Sequence, residues 1–109
     1  MPILLCHCSC PDADTARRLA TVLVDERLAA CAQVGAPVAS VYRWQGQVET
    51  ATEVPLQLKT TPQRWPALQQ RLQALHPYEL PELVAVEALA TPAYAAWVAA
   101  ETDPAPEAR

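Results

Sequence analysis

The order in which apolar periodicity changes along the chain constrains the fold more than any other sequence feature. Stretches with strand periodicity, in which every second residue is apolar or the whole run is apolar, alternate with stretches of helical spacing. The predicted elements, in chain order, are a strand at 3–10, a helix at 14–27 with Asp12 as its candidate N-cap, strands at 38–45 and 53–59, a helix from 62 or 65 to 76, a strand at 83–89 and a short helix after 91.

Helices that separate strands require crossover connections, and these are right-handed within one sheet. The order therefore predicts an α/β (α+β) fold of the ferredoxin-like type, a split βαβ sandwich. We expect an antiparallel sheet with two helices on one face and a short additional helix at the C-terminus. The strands at 38–45 and 53–59 form a predicted hairpin with a loose connection at 46–52, and Pro55 must face an unpaired position, a bulge or an edge.

The length of 109 residues fits a single domain, which we place at 1–101, followed by a flexible polar tail at 102–109. Hydrophobic residues make up 51% of the chain, which excludes intrinsic disorder. The chain has no Phe, however, so that Leu, Val and three Trp must supply the bulk of the core.

Charge and hydropathy exclude two classes of partner. The net charge of −4, with one lysine, argues against a nucleic-acid binder. The apolar runs are shorter than the roughly 20 residues that a membrane span needs. Residues 1–5 lack the positive segment of a signal peptide, so that we expect a cytoplasmic protein.

Three of the four cysteines, Cys6, Cys8 and Cys10, alternate along the first strand, and the fourth is Cys31. Alternate strand residues lie about 6.6 Å apart, near the limit for a disulfide, so that we expect reduced thiols. Thiolates suit Cu(I) or Zn(II), but three sulfurs on a straight strand diverge too far to share one ion. Cys6 is interpreted as a small core residue, and Cys10, beside the strand-to-helix turn, is expected to be accessible.

Two further groups of residues have both a structural and a functional interpretation. His76 opens the segment 76–82, where two prolines fix the backbone; it is either a functional loop residue or a histidine that interacts with the last carbonyls of a helix. Tyr42 and Trp44 form either an aromatic platform or part of a packed sheet face.

The motifs of the hairpin and of the His76 segment, together with four shorter patterns, resemble the CutA family of divalent cation tolerance proteins in the expected order. The matching residues are Ser40-Val41-Tyr42-Arg43-Trp44-Gln45-Gly46, Glu53, Leu58-Lys59-Thr60, His76-Pro77-Tyr78, Pro81-Glu82-Leu83, Cys8-Ser9-Cys10-Pro11-Asp12, Leu28-Ala29-Ala30-Cys31, and Tyr94 with Trp97.

The resemblance implies a ferredoxin-like homotrimer that binds copper or another divalent cation in the response to metal ions, and that is not an enzyme. The implied metal ligands are Cys8 and His76. Where some bacterial members have a His-His pair, this chain has Leu75 before His76, so that the site is expected to be weak or to be completed by Cys10, Glu79 or another subunit. As one subunit of a trimer, the isolated chain is expected to be unstable.

Two alternatives remain open. A sensor similar to the PII signalling proteins would bind a small anionic metabolite in a pocket between subunits, lined by Tyr42, Trp44, Glu53, Lys59, Tyr78 and Glu82. An enzyme would use Cys8 or Cys10 as the nucleophile and His76 as the base, and would need them within hydrogen-bond reach.

Overall fold

The computed structural model describes residues 2–104. Its elements are, in chain order, strand β1 (Ile3–Cys10), helix α1 (Ala13–Asp25), strands β2 (Cys31–Val34), β3 (Val38–Trp44) and β4 (Gln47–Thr60), a 3-10 turn (Pro62–Arg64), helix α2 (Trp65–Leu75), strand β5 (Leu83–Ala88) and helix α3 (Pro92–Glu101).

The sheet is antiparallel throughout, with the strand order β2-β4-β1-β5. β3 pairs with the first half of β4, ahead of the part of β4 that pairs with β1 and β2. β1 is central, so that Cys8 has Leu56 of β4 on one side and Leu83 of β5 on the other. The predicted α+β class, with an antiparallel sheet, two main helices and a C-terminal helix, is confirmed. Among the described residues, no helix is long and apolar enough to cross a bilayer.

The core lies between one face of the sheet and helices α1 and α2. Leu19 and Leu23 of α1 and Leu68 and Leu72 of α2 are at most 1% exposed. They belong to one cluster with the inward side chains of β1 and β4. Burial of each such leucine stabilises the fold by about 1.5–3 kcal/mol. The leucines that gave the sequence its helical spacing are therefore the residues by which α1 and α2 contact the core.

The hairpin differs from the prediction. The connection is not a loose loop at 46–52 but a two-residue turn, because β4 already begins at Gln47 and pairs with Trp44. Gln45 and Gly46 have φ angles of 50° and 81°, and positive φ at both central residues is typical of the tight turns that join antiparallel strands. The 14 residues of β4 would span about 46 Å at 3.3 Å each, comparable with the 48 Å long axis of the molecule.

β4 divides its pairing between partners. Its first half pairs with β3, whereas its second half pairs with β1 and β2. The sequence pattern left open whether Tyr42 and Trp44 of β3 pack against a sheet face, and β2 was not predicted as a separate strand. Six of the seven β3 residues are exposed. The aromatic side chains of β3 therefore lie outside the core of the single chain.

The nitrogen of Pro55, which cannot donate a hydrogen bond, faces a position without a paired strand residue. The Gly35 N–H donates to the Pro55 carbonyl at 2.9 Å, just beyond the last β2 pair, Val34 with Leu56. Since the N and O of one residue in an antiparallel ladder point to the same side, the Pro55 nitrogen faces the link between β2 and β3. A Cβ on Gly35 would lie 2.8 Å from Pro55 Cγ, so that only glycine fits this close approach without a shift.

The ends of two helices refine the predicted bounds. The Asp12 carboxylate caps α1 by accepting from the Thr15 N–H at 2.7 Å, as predicted. α1 ends at Asp25, earlier than predicted, and Arg27 has left the helical region with a φ of 60°. Thr102, predicted to begin the tail, is 1% exposed and donates to the Val98 carbonyl at 2.8 Å; positions 105–109 of the predicted tail lie outside the described residues.

Candidate functional site

Strand β1 places Cys8 and Cys10 together on the inner face of the sheet. Both side chains are 0% exposed, so that the expectation of an accessible Cys10 is wrong. Cys10 is buried because it still belongs to the central strand, where it pairs with Val54. Cys6 is also buried, and burial raises its pKa to about 11, which fits the core role predicted for it.

His76 connects the end of α2 with strand β1. It adopts an extended backbone conformation as the C-cap of α2, and its side chain is 6% exposed. The Nδ1 atom accepts from the Tyr78 N–H at 3.1 Å, so that the ring proton must be on Nε2, which donates to the Ser9 carbonyl at 2.8 Å. Both ring nitrogens are therefore occupied, and the imidazole joins β1 to the segment after α2.

The thiols and this imidazole form one group. The ligand atoms of Cys8, Cys10 and His76 lie within 4.8 Å of one another, and no other group of three Cys, His, Asp or Glu side chains within residues 2–104 was found that could hold a metal. Zinc bonds to sulfur and nitrogen are about 2.0–2.3 Å long, so that an ion at the centre would draw these atoms together only slightly. Glu79, the other residue considered as an additional ligand, is exposed and is not in the group.

The two buried thiols differ in acidity. The Cys8 thiol donates towards Cys10, with the Ser9 carbonyl as a second acceptor at 3.7 Å. This hydrogen bond, together with burial, raises the pKa of Cys8, whereas accepting it lowers the pKa of Cys10 against the effect of burial. Cys10 is thus the thiol that loses its proton more readily.

A cleft of about 610 Å³ lies on the other side of Ser9. Five of the six predicted pocket residues line it, and the full lining comprises Ser9, Ser40, Val41, Tyr42, Trp44, Glu53, Tyr78, Glu79, Leu80 and Glu82. Lys59 is the exception. Its ammonium group donates to Gln33 Oε1 at 3.3 Å and lies 5.9 Å from the centre of the Tyr94 ring.

The charge of the cleft does not favour an anionic ligand. The charged residues of its lining are Glu53, Glu79 and Glu82, with no lysine, arginine or histidine among the lining residues. The Tyr78 hydroxyl donates to Glu53 at 2.7 Å and the Ser9 hydroxyl donates to Glu82 at 2.6 Å. Burial and the bond to Glu53 raise the pKa of Tyr78, so that Tyr78 remains a neutral donor.

Ser9 and Tyr78 contact both the buried group of Cys8, Cys10 and His76 and the cleft. The Ser9 carbonyl accepts from His76, while the Ser9 hydroxyl binds Glu82. The Tyr78 N–H binds His76, while the Tyr78 hydroxyl binds Glu53. Sequence analysis did not single out the Ser9 side chain, although its position between two inward cysteines places it on the opposite face of the strand.

The sequence model described as CutA1 divalent ion tolerance protein matches residues 4–101, which is most of the chain and includes every residue of the buried group. The chain belongs to the CutA1 family. A "Divalent-cation tolerance protein CutA" of Thermus thermophilus is 47% identical over 76 residues, covering 70% of this chain and 74% of the relative. A "Protein CutA" of Mus musculus is 35% identical over 91 residues, which cover 83% of this chain but only 51% of the mouse protein.

Solved CutA structures share the fold of this CutA1-family chain. The CutA structure of Xylella fastidiosa superposes with a TM-score of 0.89 at 43% identity, covering 93% of this chain and 98% of the other. The CutA1 structure of Oryza sativa gives a TM-score of 0.89 at 31% identity, covering 94% and 95%. The resemblance noted in the sequence motifs is therefore confirmed at the level of family and fold.

Proposed function

We propose that the protein is a trimeric divalent-cation tolerance protein that binds copper or another divalent cation weakly at Cys8 and His76, with Cys10 as the third ligand. The observation that carries the proposal is the buried group in which these three ligand atoms lie within 4.8 Å of one another. The names printed for its relatives, which refer to divalent-cation tolerance, agree with a metal-binding role.

The type of ligand indicates which ion this site would prefer. Two cysteine sulfurs and an imidazole form a soft donor set, which favours Cu(I), with Zn(II) or Cd(II) as substitutes. Cys8 and Cys10 are 0% exposed, and a buried site with three protein ligands suits an ion of low coordination number. Because Leu75 precedes His76 in this chain, no second histidine is present beside it, and in this proposal Cys10 completes the ligand set.

The hydrogen bonds of His76 support weak binding. A metal on Nε2 would replace the bond to Ser9 and would move the ring proton to Nδ1, where it meets the Tyr78 N–H. Each neutral hydrogen bond contributes about 0.5–1.5 kcal/mol, so that the loss of two weakens binding by roughly 5- to 160-fold. A metal on Nδ1 would instead replace only the bond from the Tyr78 N–H, so that metal binding at either ring nitrogen costs at least one hydrogen bond.

The test is a Cu(I) competition titration with a chromophoric chelator on the full chain and on Cys8→Ser, Cys10→Ser and His76→Ala. Cys31→Ser and His7→Ala are matched controls, since Cys31 is not fully buried and His7 is exposed, and neither belongs to the group. We expect weaker binding in the three site variants only. Unchanged affinity in both Cys8→Ser and His76→Ala would overturn the site.

The exposed apolar surface supports assembly into a homotrimer. Val84 and Val86 of β5 lie on the sheet face away from the core and are 54% and 61% exposed. Val48 of the hairpin is 63% exposed. Exposed apolar side chains of this size are candidates for contact sites between proteins. Light scattering of the purified protein measures the subunit number, and a stable monomer would contradict the proposal.

We infer a binding role rather than catalysis. A nucleophilic cysteine needs an adjacent base or a lowered pKa, together with access to substrate. Both ring nitrogens of His76 bind backbone groups, the pKa of Cys8 is raised, and Cys10, whose pKa is lowered, is 0% exposed. A cytoplasmic location is part of the same proposal and is supported by four free cysteines, since reduced thiols are typical of the cytosol. A structural neighbour of Archaeoglobus fulgidus, 24% identical, is described as periplasmic.

A further inference from the structure

The cleft of about 610 Å³ has aromatic walls that the metal site does not use. Tyr42 and Trp44 stand on the same face of β3, since they are two residues apart in one strand, and they are 44% and 38% exposed. Tyr78 reaches the cleft from the segment after α2, with its ring 4.7 Å from that of His76. Three aromatic side chains thus border one concave surface, in a chain whose aromatic content is only 6%.

The carboxylates of the cleft have hydroxyl partners but no cationic partner in its lining. Glu53 accepts from Tyr78, and Glu82 accepts from Ser9. A carboxylate has two oxygens and about four acceptor sites, so that each hydroxyl occupies only part of its capacity. The cleft therefore has negative charge beside aromatic faces, whose π clouds also attract cations.

The spacing of the acids distinguishes between two kinds of cation. A bare metal ion needs several ligand atoms at about 2–2.6 Å from one point. In the described part of the chain, Glu53, Glu79 and Glu82 do not form a group with metal-ligand spacing, whereas Cys8, Cys10 and His76 do. A polyatomic organic cation can contact separate carboxylates and aromatic faces at the same time, so that it fits the cleft better than a bare metal ion does.

We propose that this cleft binds a small organic ammonium ion. Its charged nitrogen lies between Glu53 and Glu82, and its alkyl groups lie against Tyr42 and Trp44. Half-exposed aromatic rings and carboxylates are the groups that recognise quaternary and substituted ammonium ions. The volume suits such a ligand, since small-molecule pockets are about 300–1,000 Å³. The proposal is independent of copper binding, because no residue of the buried thiol group lines the cleft.

The test compares two molecules of the same shape and different charge, choline and 3,3-dimethylbutan-1-ol. Titration of the full-length protein, followed by calorimetry and by tryptophan fluorescence, is expected to show binding of choline and at least about tenfold weaker binding of the neutral alcohol. Glu53→Gln removes the charge but keeps an acceptor oxygen for the Tyr78 hydroxyl. It is expected to weaken choline binding about fivefold or more.

The matched control is Glu87→Gln, which removes an exposed acid of β5 outside the cleft and is expected to leave choline affinity unchanged. Trp44→Leu gives a second, uncharged test, since it removes an aromatic face and is also expected to weaken binding. The proposal is overturned if choline does not bind at about 50 mM, if the alcohol binds equally well, or if Glu53→Gln and Trp44→Leu both bind choline as the unaltered protein does. Circular dichroism of each variant establishes that it is folded.

Discussion

The Nε2 atom of His76 donates a 2.8 Å hydrogen bond to the carbonyl of Ser9, although the two residues are 67 positions apart in sequence. This bond holds the end of α2 against the central strand of the sheet. It also connects the buried thiols to the cleft, because Ser9 lies between Cys8 and Cys10 and binds Glu82 through its hydroxyl. One contact thus joins a candidate metal site to a candidate ligand site.

We expect His76→Ala to lower the free energy of unfolding by about 1–3 kcal/mol, because it removes the two hydrogen bonds that the imidazole makes with the Ser9 carbonyl and the Tyr78 N–H. Urea unfolding of the metal-free protein measures this change. His7→Ala, at an exposed position on the opposite face of β1, is the control and should change stability by less than about 0.5 kcal/mol. Equal stability of the two variants would show that the contact has no structural role.

We expect Gly35→Ala to destabilise the fold by about 1–3 kcal/mol, since the new Cβ would lie 2.8 Å from Pro55 Cγ and would force the link after β2 away from β4. Pro55→Ala should relieve this clash, so that the double variant is more stable than the sum of the single changes predicts. Thermal or urea unfolding of the four proteins gives the interaction energy of the pair. An additive result would contradict the proposed contact.

The ion pair between α1 and α2 predicts a pH dependence in acid. Arg71 binds Glu26 through two hydrogen bonds of 2.8 and 2.9 Å, which lowers the pKa of Glu26 below its ordinary value of 4.5. The pair therefore stabilises the folded state above about pH 4.5, and this contribution is lost as the pH falls through the lowered pKa.

Unfolding curves between pH 3 and 7 measure this effect for Glu26→Gln, Arg71→Gln and the double variant. Because both side chains are partly exposed, we expect a small effect. The two single variants and the double variant should lose the same part of the pH dependence. A pH profile in Glu26→Gln identical to that of the parent would contradict the assignment.

We expect Val86→Lys to shift the assembly towards monomers, because it places a charge on the exposed apolar face of β5. Size-exclusion chromatography with light scattering measures the subunit number over a dilution series. Val24→Lys is the control, since Val24 is also exposed, at 40%, but lies on α1. If Val86→Lys keeps the subunit number of the parent protein at all concentrations, this face is not part of the interface.

Local patterns predicted the elements that depend on local interactions. The Asp12 cap and the apolar spacing of α1 and α2 follow from neighbours within one or two turns, and each was found in the structure. The missing N–H of Pro55 was by itself enough to predict that its nitrogen faces an unpaired position. In contrast, the turn at Gln45 and Gly46 was misplaced, because residues 47–52, five of which are exposed, have no apolar alternation to identify them as a strand.

From the amino-acid sequence alone follow most of the order of strands and helices, the shared strand of Cys6, Cys8 and Cys10, and the motifs that identify the family. The burial of Cys10, its proximity to His76 and the position of Lys59 away from the cleft follow only from the folded chain. The physical reason is that periodicity fixes the direction of a side chain relative to its own strand or helix. Which distant residues meet there depends on register and on packing between elements, as with Ser9 and His76, and no local pattern specifies these.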